Sequence, residues 1–90
     1  MPQPRKSLFD EGYTTIIDAL IARRHELNMT QTALGEAYGE DQSFISRIER
    51  HQRRVDVFEF LRLCVALEVE PEDVVKDVYL GLQRSRRQPS

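Results

Sequence analysis

The stretch "GEDQSFISRIER", residues 39–50, decides the fold of this 90-residue chain. A helix advances by about 100° per residue, so its side chains separate into faces. Phe44, Ile45 and Ile48 share one face and form an apolar stripe that is typical of a core-facing helix. The polar side chains lie within about 140° of one another on the other face: Gln42, Ser43, Ser46 and Arg47. A solvated helix surface is the ordinary interpretation of such a polar face.

Helical periodicity continues before this stretch. Apolar spacing predicts a first helix over residues 13–27. Thr30 is a favourable N-cap for a second helix, "QTALGEAY", which Gly39 ends. Asp41 then caps the third helix, with its carboxylate near the positive helix end. The chain therefore enters the deciding stretch from a short, well-delimited helix.

Two further helices are predicted after it. Asp56 and Glu59 form a D-x-x-E capping box that opens a fourth helix. Its inward face is predicted to contain Val57, Phe60, Leu61, Cys64 and Leu67. Pro71 suits the first turn of a fifth helix, and Gly81 is a natural stop. The absence of any strand pattern predicts an all-α, compact five-helix bundle.

Length and composition bound the class of protein. Ninety residues, with 40% hydrophobic and 31% charged residues, are typical of one soluble globular domain. We expect a flexible lead-in over 1–12, the domain over 13–82 and a basic disordered tail over 83–90. No apolar run is long enough for a transmembrane helix or a secretory signal, which predicts a cytoplasmic, nucleoid-associated location.

The cysteine and histidine content indicates no metal site. Cys64 is the only cysteine, so no internal disulfide can form, and its expected place is the core. His25 and His51 are too scattered to join it in a recognisable ligand set. We expect neither a metal nor a cofactor.

Charge is distributed unevenly along the chain. The net charge of −2 is unlike that of many nucleic-acid binders. Residues 47–54 nevertheless hold four arginines against one glutamate, whereas residues 68–77 hold five carboxylates against one lysine. The sequence thus predicts a polarised molecule with one basic side.

The second and third helices form a helix-turn-helix pattern. They are separated by a few residues around Gly39, which can adopt the positive φ that the turn requires. Close crossing of the two helices requires a small residue in the first, and Gly35 meets that need. With these features, residues 20–75 resemble the Cro/phage-repressor (XRE) family of helix-turn-helix DNA-binding domains. The resemblance implies a lambda-repressor-like five-helix fold that acts as a homodimer on operator DNA.

The resemblance also implies individual roles. Gln31 would bind phosphate and brace the recognition helix, and Arg24 and Glu49 would form an ion pair between the first and third helices. Base edges would be contacted by Gln42, Ser43 and Arg47. The family usually has Gly or Asn at position 51 and Gly at position 68, where this chain has His51 and Glu68, so we expect non-glycine residues in left-handed turns there.

The chemistry of these side chains is consistent with DNA recognition. A glutamine amide can bond adenine N6 and N7, and an arginine can bond guanine O6 and N7. Ser43 and Ser46 are short and are expected to contact phosphate or a neighbouring base edge, with solvated hydroxyls as the alternative. We expect the DNA backbone to be contacted by Arg50, Arg53 and Arg54. Their alternative is ordinary solubility charge.

The predicted function is sequence-specific transcriptional regulation, in the first instance as a repressor, with helix 42–50 reading the major groove of double-stranded operator DNA. A homodimer on a palindromic operator would use apolar side chains of the C-terminal half: Phe58, Val65, Val78, Tyr79 and Leu82. No phosphate loop, metal cluster or activated nucleophile indicates an enzyme. The alternative is an antitoxin-like module that binds a protein partner through its acidic side.

Overall fold

Residues 8–87, the part of the chain that the computed structural model describes, form five helices joined by turns and contain no strand. The helices are α1 (Leu8–Glu26), α2 (Gln31–Tyr38), α3 (Gln42–Glu49), α4 (Val57–Ala66) and α5 (Pro71–Arg87). The all-α, five-helix prediction is confirmed. The sequence predicted α2 with the observed bounds, and it placed α3 to within one residue.

Side chains cap three of the helices as predicted. The Thr30 hydroxyl accepts a hydrogen bond from the Ala33 amide at 3.0 Å and opens α2. Asp41 Oδ1 accepts from the Phe44 amide at 3.0 Å and opens α3. At α4 both halves of the capping box are present between Asp56 and Glu59. These bonds satisfy amide groups that have no acceptor within their own helix.

Left-handed residues close the turns between helices. Gly39 ends α2 with φ of +103°. Asn28, His51 and Glu68 have φ of +56°, +61° and +53°. The expectation that His51 and Glu68 occupy left-handed turns is confirmed.

The core contains buried side chains from all five helices. Its least exposed members are Ile17, Ile45, Cys64 and Leu67, each at 1% exposure or less. Cys64 is therefore a core residue, and burial raises the pKa of its thiol. Because the apolar face of α3 lies in this core, its polar face is held outward.

The first helix begins five residues before the expected domain boundary. Leu8 to Gly12 belong to α1 rather than to a lead-in, and residues 1–7 of the expected lead-in lie outside the described residues. Gly12 lies inside the helix because of packing: a β-carbon there would lie 3.0 Å from Val78 Cγ1 on α5. Gly12, which fell within the expected lead-in, is thus a point of close approach between α1 and α5.

The fifth helix also exceeds its predicted length. α5 continues through Gly81 to Arg87, so Gly81 is not a stop and residues 83–87 are helical; residues 88–90 of the expected tail lie outside the described residues. A glycine inside a helix costs only about 1 kcal/mol relative to alanine. That penalty is too small to end a helix on its own.

The inward face of α4 is rotated relative to its prediction. Leu63 and Cys64 are buried, whereas Val57 is 77% exposed and Leu61 is 42% exposed. The prediction that Val57 and Leu61 face the core is therefore wrong. Leu61 lies about 100° around the helix from Phe60. The rotation leaves apolar side chains on the outer surface of α4.

Candidate nucleic-acid interface

The turn between α2 and α3 brings the two helices into close contact. A β-carbon at Gly35 would lie 2.7 Å from the carbonyl oxygen of Glu40 and 3.0 Å from that of Asp41. Both atoms belong to the backbone of the turn and have little freedom to move away. Hydrogen bonds from the Gly39 and Glu40 amides to the Gly35 carbonyl, at 2.7 and 2.8 Å, complete the turn. The geometry explains why the sequence has glycine at position 35.

Helix α3 separates its two faces as the sequence predicted. Phe44, Ile45 and Ile48 are buried. Ser46 is half-buried, and the other polar positions are exposed: Gln42, Ser43 and Arg47. The exposed side of α3 therefore presents an amide, a hydroxyl and a guanidinium from a helix with a fixed core face.

A chain of hydrogen bonds connects this exposed side to the interior. Arg24, only 8% exposed, donates from Nε to Glu49 Oε2 at 2.7 Å and from Nη2 to Glu49 Oε1 at 2.9 Å. The expected ion pair between α1 and α3 is confirmed as a bidentate contact. Gln31 Nε2 donates to the same Glu49 Oε1 at 2.9 Å, and Gln42 Nε2 donates to Gln31 Oε1 at 2.7 Å. We call these four side chains the amide relay.

The start of α3 is ordered by Asp41. Its carboxylate accepts from the Phe44 amide and from the Ser43 hydroxyl, the latter at 2.9 Å. The hydrogen bond from the Phe44 backbone amide is the main reason that the pKa of Asp41 lies below its usual value. Arg47 donates from Nε to the Ser43 carbonyl at 3.3 Å, which directs its stem back along the helix. Ser43 and Arg47 thus occupy defined positions on the exposed face.

The three arginines after α3 occupy different environments. Arg50 is exposed at the end of the helix, and the Arg54 guanidinium lies 4.3 Å from the centre of the Tyr13 ring. Arg53 instead donates from Nη1 and Nη2 to the two carboxylate oxygens of Glu59, at 3.0 and 2.8 Å. That ion pair holds the pKa of Glu59 below its usual value. Arg53 therefore forms a structural ion pair that the sequence did not predict.

Aromatic rings extend the Arg53 contact across three helices. Its guanidinium lies 4.5 Å from the centre of the Phe44 ring, and Phe44 stacks on Tyr38 with centres 5.3 Å apart. Arg62 lies over Tyr38 at 4.1 Å and donates to the Tyr38 carbonyl at 2.8 Å. This stack ties α3 to α2 and α4. Its members lie far apart in the sequence, so periodicity could not reveal it.

The residues predicted for a dimer contact separate into two groups. Phe58 and Val65 on α4 are 68% and 79% exposed, and Tyr79 on α5 is also exposed. Val78 and Leu82 are half-buried and line a groove beside α1. Val57 and Leu61 add exposed apolar surface to the first group. We call Val57, Phe58, Leu61 and Val65 the outer face of α4.

Other kinds of site are not indicated within residues 8–87. No group of three potential metal-ligating side chains occurs there. None of the helices in this range combines the length and apolar character needed to cross a membrane.

Comparisons with known proteins agree with this geometry. The family model described as "Helix-turn-helix" matches residues 20–74, more than half of the chain. The solved structure of an XRE-family like protein from Pseudomonas syringae pv. tomato str. DC3000 is similar, with a TM-score of 0.78 and 29% sequence identity. The similarity covers 84% of this chain and 93% of that one. A search of curated proteins finds no match.

Proposed function

Because this chain belongs to the Cro/C1-type (XRE) family of helix-turn-helix DNA-binding domains, we propose that it is a sequence-specific transcriptional regulator whose α3 reads the major groove. The family supports a DNA-binding regulator in general. The finer proposal concerns the helix that enters the groove, the side chains that touch bases and the effect on transcription.

The polar face of α3 is the observation that supports groove reading. Sequence is distinguished in the major groove by donors and acceptors on base edges, which side chains must meet in a fixed orientation. Three of the polar side chains of α3 are exposed, while the opposite face of the helix is buried. Gln42 and Arg47 have the reach and chemistry for adenine and guanine edges, respectively. Ser43 and Ser46 have shorter reach and would contact phosphate or a neighbouring base.

Backbone contacts would come from both ends of the helix-turn-helix. Gln31 opens α2, and Arg50 and Arg54 follow the recognition helix on its basic side. Contacts of this kind fix the register on the duplex and supply affinity that is blind to sequence. Arg53 can add to this charge, although Glu59 neutralises much of it in the free protein.

Operator DNA would be bound by a homodimer that joins through the outer face of α4 and Tyr79. One recognition helix contacts too few base pairs to define a unique site in a genome. The four exposed apolar side chains of the outer face of α4 lie on one side of that helix, Tyr79 adds an exposed ring on α5, and a second copy would remove them from water. Two-fold symmetry would place two copies of α3 about 34 Å apart on a palindromic site. Operator occupancy of this kind suffices to block a promoter, which is why repression is the proposed effect.

An antitoxin-like protein partner is the second candidate. The same exposed apolar surface on α4 favours it, because a different protein could cover that surface. The two candidates make different predictions for the purified protein on DNA. A regulator binds an inverted-repeat site as a dimer by itself, whereas a partner-dependent module binds tightly only after the partner is added.

Selection of bound DNA from a random library, at a stated salt concentration, tests the proposal directly. We expect an enriched inverted repeat. On that site Arg47→Ala should lose about 1–3 kcal/mol, confined to one base pair of each half-site. Equal losses on cognate and scrambled DNA would make Arg47 a phosphate contact. A library without any enriched sequence would overturn sequence-specific recognition.

A further inference from the structure

We propose that Tyr13, on α1, is a positioning residue for DNA binding, because it holds Arg54 in the arrangement that meets the DNA backbone. The inference rests on the proposed function, in which Arg54 contacts phosphate, and it adds a residue that lies outside the helix-turn-helix. It follows from the contacts that the Tyr13 side chain makes with the loop of residues 50–56.

This loop joins α3 to α4 and carries the arginines proposed for the DNA backbone. It contains no helix or strand, so groups outside the loop must fix much of its conformation. In its first half, the Gln52 and Arg53 amides donate to the Arg47 carbonyl at 2.8 and 3.2 Å. These bonds tie residues 52 and 53 to the end of α3. The second half of the loop is held by a different element.

Tyr13 fixes the backbone next to Arg54. Its hydroxyl oxygen accepts a hydrogen bond from the Val55 amide at 3.1 Å, across 42 positions of sequence. The Arg54 carbonyl accepts from Arg53 Nη1 at 3.0 Å, and Arg53 is itself paired with Glu59 on α4. The Arg54 carbonyl and the Val55 amide belong to one peptide group. Contacts to α1 and to the Arg53 side chain therefore hold both polar atoms of that group.

The Tyr13 ring also holds the Arg54 side chain. The guanidinium carbon lies 4.3 Å from the ring centre, within the range of about 6 Å over which cation–π contacts act. His51 packs edge-to-face on the same ring, with centres 6.3 Å apart. A stacked guanidinium is held through its flat face, so stacking itself takes up none of its N–H donors. The Arg53 guanidinium differs, because its pairing with Glu59 uses both Nη1 and Nη2.

An arginine that is ordered before DNA arrives binds phosphate at a lower entropic cost. Ordering one flexible side chain at an interface weakens binding by about three- to tenfold. Arg54 is exposed, yet its side chain already rests on the Tyr13 ring. Phosphate contacts carry no base identity. The contribution of Tyr13 should therefore be equal on specific and non-specific DNA.

A double-mutant cycle between Tyr13 and Arg54 tests the inference, with affinities measured on the selected operator and on a scrambled duplex. Tyr13→Leu removes both the ring and the hydroxyl, and we expect it to weaken binding to both duplexes by about three- to tenfold. In the Arg54→Ala background the same substitution should change affinity by less than about twofold, because the side chain that Tyr13 positions is gone. A general loss of structure would weaken both backgrounds equally.

Two further variants sharpen the cycle. Arg84→Ala, at an exposed position of α5, removes the same charge and is the matched control background, in which Tyr13→Leu should weaken binding as in wild type. Tyr13→Phe keeps the stacking ring and should retain more affinity than Tyr13→Leu. Chemical denaturation checks that each variant is folded. If Tyr13→Leu is not, side-chain NMR relaxation of the free wild-type protein carries the test, and the Arg54 Nε–H should be more ordered than that of Arg84.

The outcomes separate this inference from the proposed function. Equal weakening by Tyr13→Leu in the wild-type and Arg54→Ala backgrounds would make Tyr13 a structural residue only and overturn the inference. An Arg54 side chain as mobile as that of Arg84, or an Arg54→Ala variant with wild-type affinity for both duplexes, would also overturn it. Each of these results would leave sequence-specific binding in place. A wild-type protein that selects no sequence would instead overturn the proposed function.

Discussion

The α2–α3 pair and the outer face of α4 differ in how completely contacts within one chain bury their apolar side chains and pair their polar groups. Around α2 and α3 the large apolar side chains are buried, and Arg24, the buried charged residue there, has its partners within the fold. No buried side-chain nitrogen or oxygen within the described part of the chain lacks a hydrogen-bond partner. The outer face of α4, in contrast, exposes four apolar side chains to water.

This difference separates what the domain does alone from what it does with a partner. Contacts within one chain already fix the α2–α3 pair, so a monomer should hold α3 in the orientation needed to contact base edges. An open α4 surface gains free energy only when a second molecule covers it, at about 25 cal/mol for each Å² of apolar area removed from water. Substitutions in the first region should therefore change folding, and those in the second should change assembly.

The largest expected effect is at the ion pair inside the closed region. Arg24→Met leaves the carboxylate of Glu49 poorly compensated in the interior, which should cost about 3–5 kcal/mol of unfolding free energy. Chemical denaturation measures this loss. Glu26→Gln, at the exposed Arg23 contact on α1, is the control and should cost less than about 0.5 kcal/mol. A loss below about 1 kcal/mol in Arg24→Met would contradict the inference that the α2–α3 region depends on this buried ion pair for its stability.

The next effect concerns two glycines that differ in their surroundings. Gly35→Ala drives a β-carbon against backbone carbonyls of the turn and should destabilise the domain by about 1–3 kcal/mol. Gly81→Ala has no atom within 4 Å of the new carbon and should instead stabilise α5 by about 1 kcal/mol. The opposite signs make the pair a matched test. If both variants gained stability, the inference that α2 packs closely against the turn at Gly35 would be wrong.

Phe58→Glu tests the open surface of α4. Because Phe58 is largely exposed in one chain, we expect little change in unfolding free energy. Burying the new charge should weaken dimerisation by at least about tenfold, or 1.4 kcal/mol. Sedimentation with and without the selected operator measures this change. Ala22→Glu adds the same charge at an exposed position of α1 and should leave assembly unaltered. Unchanged dimerisation in both variants would place the interface elsewhere.

Local signals explain why the α2–α3 region could be predicted from sequence. Caps, the left-handed glycine and the apolar stripe of α3 each depend on residues a few positions apart, and Thr30, Gly39 and Asp41 behave as their residue types require. The Arg24–Glu49 pair spans 25 residues and was accessible only through family resemblance. Its extension through Gln31 to Gln42 depends on the side-chain directions that the fold sets.

Long-range packing explains the errors in the other region. Gly81 was expected to end α5, and Gly12 fell within the expected lead-in, because glycine is a poor helix former; its penalty is small beside the packing of α1 on α5. Val57 and Leu61 were assigned to the core because their spacing fits a helical stripe, yet the true stripe is centred on Leu63 and Cys64. Periodicity defines a stripe only to within one neighbouring position, and such a shift moves a residue from core to surface.

Glu59, on α4, pairs with Arg53, which follows α3. This contact should make the stability of the domain depend on pH in the acid range. The folded-state pKa of Glu59 is lowered, chiefly by the Arg53 hydrogen bonds, so its stabilisation is present above the unfolded value of about 4.3 and is lost as pH falls below it. Glu59→Gln should be less stable than wild type near neutral pH and lose less stability on acidification. Unfolding between about pH 3 and 7 measures the difference.

Glu36→Gln removes the same charge from an exposed position of α2 and is the control for Glu59→Gln. It should retain wild-type stability at neutral pH. Parallel stability profiles for wild type and Glu59→Gln across the acid range would contradict a stabilising Arg53–Glu59 pair. That result would return Arg53 to the group of arginines whose main role is on the DNA backbone.

The smallest expected effect is a change in salt dependence at the end of α3. Each phosphate contact releases counterions, so its loss should flatten the slope of log K against log salt by about 0.9. We expect this change in Arg50→Ala, on specific and non-specific DNA alike, because Arg50 is exposed beside the recognition face. Arg84→Ala removes the same charge from α5 and should leave the slope unchanged. Equal flattening in both variants would mean that the whole molecule's charge, rather than a basic edge of α3, attracts DNA.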